Sequence, residues 1–117
     1  MSEKRSVRKK QKELPPVHLG QCMVDSGQLM IADPCYLKQF NSNGYSDDPK
    51  HRGTFSYAGC CQAITTKNRG GTLANGLGVA FKTIWGDGTY DVLGFRNDDG
   101  EIDAIVIPLD IYPDLKP

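Results

Sequence analysis

Two carboxylates stand out for their placement. Asp33 ends an apolar stretch and is followed by Pro34, Cys35 and Tyr36, while Asp87 sits between Gly86 and Gly88, three residues before Tyr90. Each stands in a turn, because proline disfavours helix in the residue before it and glycine admits backbone angles other residues avoid. If the two turns meet at one end of a sheet, Asp33 and Asp87 can hold a cation or share acid and base roles, with Asp25 as a third member, and a small hydrolase is the chemistry that follows. The competing reading is local: aspartate is favoured in turns because its side chain hydrogen-bonds the nearby backbone. There is no calcium-loop spacing and no Asp-x-Asp-x-Asp run, so no metal is expected.

The thiols and glycines offer less. Cys35 after Pro34 has His18 and His51 as the chain's possible activating bases, but no cysteine-enzyme signature surrounds it. A zinc set from His18, Cys22, Cys35 and Cys60 meets a geometric objection, since His18 and Cys22 on one strand lie roughly 13 Å apart. Cys60 and Cys61, read as part of a strand, point to opposite faces, and the four cysteines are expected as reduced, mostly buried thiols. Arg69-Gly70-Gly71-Thr72 has the amides, cation and hydroxyl of a phosphate cradle without the full phosphate-loop spacing, and reads better as a tight connection. No catalytic residue is assigned and no cofactor is expected.

A third group mixes rings and cations. Phe40, Tyr45, Phe55 and Tyr57 flank a loop, residues 41–53, which also holds Lys50, His51 and Arg52, with Lys38 just before it. Aromatics interleaved with cations can stack on a ring system and hold an anion. The alternation of Phe55 and Tyr57 marks them as core, which leaves Tyr45 as the better contact residue. The resulting set of ligand contacts is Asp33, Tyr36, Tyr45, Arg52, Asp87 and Tyr90.

The elements that must position these residues read as strands and turns. Strands are predicted over 17–24, 28–32, 54–66, 77–84, 89–96 and 101–109, with one helical turn over 35–40. Turn clusters at Asp25-Ser26-Gly27, Gly86-Asp87-Gly88 and Asn97-Asp98-Asp99-Gly100 predict consecutive hairpins. The expected fold is all-β: a single antiparallel sandwich or small barrel of about six strands.

Ser26-Gly27-Gln28-Leu29-Met30-Ile31 followed by Asp33-Pro34-Cys35-Tyr36-Leu37 resembles a signature of small uncharacterised bacterial and phage-encoded proteins, a domain of unknown function. Thr54-Phe55-Ser56-Tyr57, Gly70-Gly71-Thr72-Leu73 and the Gly-Asp-Gly-x-Tyr at 86–90 extend the likeness over about residues 22–110. That signature continues with Pro-Val after the tyrosine, where this chain has Asp91-Val92. The resemblance implies a bacterial or phage origin and no mechanism.

Composition sets the frame. The chain has 117 residues, 38% hydrophobic and 24% charged, the profile of a soluble domain with no apolar run long enough to span a membrane. The formal charge is zero, but residues 1–13 carry Lys4, Arg5, Arg8, Lys9, Lys10 and Lys12 against Glu3 and Glu13. Residues 1–16 therefore read as a disordered or extended basic arm and linker, and 17–117 as one β-rich domain. The basic start lacks a following apolar stretch and is not a secretory signal, so a cytoplasmic location, or a virion for a phage protein, is expected. The reading is a non-enzymatic β-domain that binds a small molecule or a protein. Alternatives are a nucleic-acid, virion or ribosome assembly component using the six arm cations as phosphate contacts, and the hydrolase above.

Overall fold

The structure is a computed structural model and describes residues 15–42 and 44–115. The arm cations Lys4, Arg5, Arg8, Lys9, Lys10 and Lys12 lie outside the described residues. Within them the protein is mostly β. The strands are β1 (Val17–Val24), β2 (Gln28–Ala32), β3 (Gly70–Leu73), β4 (Gly78–Lys82), β5 (Gly88–Arg96) and β6 (Ile102–Val106). One α-helix, α1 (Tyr57–Ala63), and 3-10 turns at Pro34–Gln39, Pro49–His51 and Pro113–Leu115 complete the described elements. No helix among the described residues is long and apolar enough to cross a membrane.

The strands form two three-stranded sheets, ordered β1-β5-β6 and β2-β4-β3, and neither closes into a barrel. The chain divides into two compact units to match. Residues 24–87 make an inserted unit with the β2-β4-β3 sheet and α1, while the described residues before and after it, 15–23 and 88–115, make a terminal unit.

Two predicted hairpins are corrected by this topology. The clusters at 25–27 and 86–88 do not return the chain to a neighbouring strand; each carries it from one sheet to the other. A turn needs only residues that accept its backbone angles, and nothing in those residues dictates which strand pairs next. The third turn does make a hairpin. Asn97 Oδ1 accepts from the amides of Asp99 (2.9 Å) and Glu101 (3.0 Å), and Gly100 takes φ +84°, joining β5 to β6.

The strand predicted over 54–66 is corrected as well. Its middle is α1, begun by Ser56, whose Oγ accepts from the Gly59 amide at 2.9 Å. The hydroxyls form a directed chain: Ser56 donates to Thr54 Oγ1 (2.7 Å), and Thr54 donates to the His51 carbonyl (2.7 Å). The sixth strand is instead β3, at the Gly-Gly pair read as a connection. The predicted helical turn near Cys35 forms as the Pro34–Gln39 turn.

The core of the inserted unit lies between α1 and one face of its sheet. Phe55, Cys60, Leu73 and Ala80 are buried together, with Met30, Ala32 and Phe40 packed on them. Burial pushes the Cys60 thiol up to about 11, with its neighbour Cys61 adding to the effect. The thiol therefore sits neutral beside Met30 Sδ, 3.8 Å away.

In the terminal unit β5 is central and its Leu93 and Phe95 are buried. Asp91 Oδ1 meets His18 Nε2 (3.0 Å) and accepts from Gln21 Nε2 (3.2 Å), fastening β1 to β5. The His18 bond, then the Gln21 bond, hold the Asp91 carboxyl below its ordinary value. A depressed carboxylate stabilises the fold above its unfolded pKa of about 3.9 and loses that contribution as the pH falls through the lower folded value. Carboxyl-detected NMR titration should therefore find Asp91 ionising below the ordinary aspartate value of about 3.9, and His18→Ala should return it toward that value. An unmoved titration in His18→Ala would remove the pairing.

Candidate functional site

The inserted unit has a groove of about 570 Å³ whose walls come from three places: the 45–53 segment, the end of α1 with the turn after it, and the edge strand β3. Two of the six contact residues picked from the sequence, Tyr45 and Arg52, line it. Tyr45 is 72% exposed.

The 41–53 stretch is less formless than its composition suggests. Asp48 Oδ1 accepts from the Lys50 amide (3.0 Å) and starts the Pro49–His51 turn. Gln62, on α1, reaches across with Nε2 donating to the carbonyls of Ser46 (3.2 Å) and Asp48 (2.9 Å). Gly53 O accepts from the Ala74 amide at 2.7 Å, which ties the end of the segment to the end of β3. The wall bearing Tyr45, Asp47 and Arg52 is thus held at three of its backbone carbonyls, two by the Gln62 side chain and one by the Ala74 amide. Arg52 and Asp47 themselves have no ion-pair or side-chain hydrogen-bond partner among the described residues. An unpaired guanidinium with five donors suits a carboxylate.

The other sequence-picked residues fall elsewhere. Asp33 caps the 3-10 turn that carries Tyr36, its Oδ1 accepting from the Cys35 amide at 3.0 Å. Asp87 Oδ1 accepts from the Gly27 amide at 2.9 Å, and Gly27 O accepts from Thr83 N at 3.0 Å. Gly27 adopts φ +68°, so the bond holds a turn that glycine makes possible. Tyr90 belongs to the terminal unit and is 7% exposed.

The strand register separates the two carboxylates. β2 and β4 pair from Gln28↔Lys82 at one end to Ala32↔Gly78 at the other. Asp33 follows Ala32, whereas Asp87 is bonded to Gly27, just before Gln28. Six residues at about 3.3 Å each put these ends roughly 20 Å apart. The paired carboxylates of glycoside hydrolases, for comparison, work at separations up to about 9.5 Å. Asp33 and Asp87 therefore do not form one acid–base site. No cluster of three or more metal-ligating side chains occurs among the described residues.

Asp87 has a measurable structural role. Asp87→Ala removes a charged acceptor from the Gly27 amide and should cost about 1 kcal/mol, while Asp87→Asn, which keeps an acceptor, should cost less. Urea midpoints of the two variants compared with wild type check the order.

Two residues of this neighbourhood, Gln62 and Thr66, had no signal in the sequence. Both act on backbone groups, a role that needs no distinctive side-chain pattern.

A second cluster lies under α1. Gln28 Nε2 donates to Cys61 Sγ at 3.5 Å, and Tyr57 is hydrogen-bonded to the same sulfur. The charge of a Cys61 thiolate, followed by that hydrogen bond, raises the Tyr57 phenol above its ordinary value.

Comparison with protein-family models, with curated proteins and with solved structures finds no match to this chain.

Proposed function

We propose that the protein is a non-enzymatic binding domain and that the groove of the inserted unit is its contact surface. The observation that carries the reading is a pair of charges with no partner among the described residues, Arg52 and Asp47, held with exposed Tyr45 on a wall that Gln62 and Gly53 fix in place. A fixed wall loses little conformational freedom when a partner arrives, so more of the contact energy appears as affinity. The separation of Asp33 from Asp87 supports binding over hydrolysis. The resemblance of the two signature segments adds a bacterial or phage setting to the proposal, and the composition adds the cytoplasm of the producing or host cell.

Native mass spectrometry of the protein isolated from its own cells at low salt tests this, with Arg52→Gln in parallel. A bound species carried by the wild type and lost from Arg52→Gln supports the groove. A species that survives Arg52→Gln but disappears when residues 1–13 are removed assigns binding to the basic arm instead, and nucleic acid becomes the leading partner.

A further inference from the structure

β3 is an edge strand of the inserted unit's sheet, and an edge presents backbone groups that no ladder satisfies. Lys82 N donates to Arg69 O at 2.9 Å, which sets the parity of the β3–β4 ladder. With Gly71 opposite Ala80 and Leu73 opposite Gly78, antiparallel alternation turns the N–H and C=O of Gly71 and Leu73 toward β4. Those of Gly70, Thr72 and Ala74 turn outward.

The fold covers the two ends of this outward row. Thr66 Oγ1 accepts from the Gly70 amide (3.3 Å), and its one hydrogen is shared between the Ala63 carbonyl (2.9 Å) and the Gly70 carbonyl (3.1 Å). The Ala74 amide donates to Gly53 O. Thr72, between them, is exposed, lines the groove, and has no partner among the described residues for its N–H or its C=O.

We propose that the groove takes an extended polypeptide segment that adds to β3 at Thr72, exchanging two backbone hydrogen bonds with that residue. This rests on the binding reading above and names its partner class. The covered positions, Gly70 and Ala74, are four residues apart, about 13 Å along an extended strand. About three partner residues fit in register between them, and the chain on either side must bend away. Arg52 and Asp47 set the side-chain chemistry: an acidic side chain for the first and a basic one for the second. The Tyr45 ring supplies apolar contact. Asp47 disfavours a polyanion in the same groove.

The test uses the full-length chain and a displayed library of short random peptides, with the enriched peptides synthesised and titrated by fluorescence anisotropy. The expected peptides carry one acidic and one basic residue. Thr72→Pro removes an outward-facing N–H, a change edge strands accept, and should weaken binding about tenfold or more. N-methylation of the peptide's central amide should abolish binding, while methylation of the adjacent amides should not. If Thr72→Pro fails to fold by its amide NMR spectrum, the N-methyl series on wild type decides alone.

Enriched peptides that tolerate methylation at every amide would overturn strand addition, and their sensitivity to Arg52→Gln would still leave the groove a binding site. No enriched peptide, alongside a native adduct lost in Arg52→Gln, would also overturn the polypeptide partner and keep the binding reading. Neither peptide nor adduct would overturn both.

Discussion

Phe55→Ala is expected to lower the unfolding free energy by about 3–5 kcal/mol, a large fraction of what a small domain has. The ring is 7% exposed and meets Phe40 edge to face, with centroids 5.1 Å apart and planes at 78°. Its other side lies against β4 so closely that a Cβ on Gly78 would come within 3.0 Å of Phe55 Cε1. Truncation therefore opens a cavity between α1 and the sheet. The walls cannot easily fill it, because Asn41 is bonded to the backbone on both sides of Ser56: Asn41 N donates to Phe55 O (3.1 Å), and Tyr57 N donates to Asn41 O (2.8 Å). Phe55→Leu keeps most of the volume and should cost less than about 1.5 kcal/mol. The measurement is urea unfolding, with the midpoint moving and the slope unchanged. A loss below about 1 kcal/mol for the alanine variant would remove Phe55 from the core. Because Phe55 immediately precedes the cap of α1, and α1 supplies one groove wall, any species that the wild type carries in native mass spectrometry should also be lost from the alanine variant.

The strands β1, β2 and β5 and the β5–β6 hairpin were legible because their cues are local: runs of β-forming residues, and the Asn97-to-Gly100 turn whose amides bond within four residues. The 3-10 turn at Pro34–Gln39 was legible for the same reason, through Asp33 and Pro34. Strand partnership was not legible. The clusters around Gly27 and Asp87 accept a sheet-to-sheet crossing as readily as a hairpin, and the deciding bond, Asp87 to the Gly27 amide, joins residues 60 apart in sequence. α1 was hidden by its seven-residue length, which gives barely two turns in which to reveal a helical period, and by flanking Phe55, Tyr57, Ile64, Thr65 and Thr66, all at home in strands. Ser56 was the available signal, a hydroxyl at the N-cap. β3 was hidden because Gly70 and Gly71 have the lowest strand propensity, and its place is set by β4. Of the candidate site, Tyr45 and Arg52 were legible from a long loop mixing rings and charge. Thr72 was noticed only for its hydroxyl in the 69–72 connection, because a strand edge leaves no mark on residue type.

Gly59→Ala separates local propensity from packing by the sign of its effect. In a helix governed by propensity alone, replacing glycine by alanine gains about 1 kcal/mol. Here the added methyl would sit 2.0 Å from Thr54 O, 3.0 Å from Thr54 C and 3.1 Å from Ser56 Oγ. The nearest atom is a backbone carbonyl oxygen, and it is not at liberty to swing aside, because it accepts the Ser56 amide at 2.9 Å. Moving it would also disturb Thr54 Oγ1, which joins the Ser56 cap to His51. The clash of an overpacked site costs about 1–3 kcal/mol and occasionally more, and a lost cap adds about 1 kcal/mol. Together these exceed the propensity gain, so Gly59→Ala should destabilise by about 2 kcal/mol or more. Thermal and urea unfolding of the variant provide the check, and a neutral or stabilised protein would mean that Thr54 does not fold over the start of α1. The same geometry explains why a glycine stands at the third helical position, where a capping box would place glutamate or glutamine. The carbonyl of Thr54 fills the space a side chain would need, and the Gly59 amide is left to Ser56.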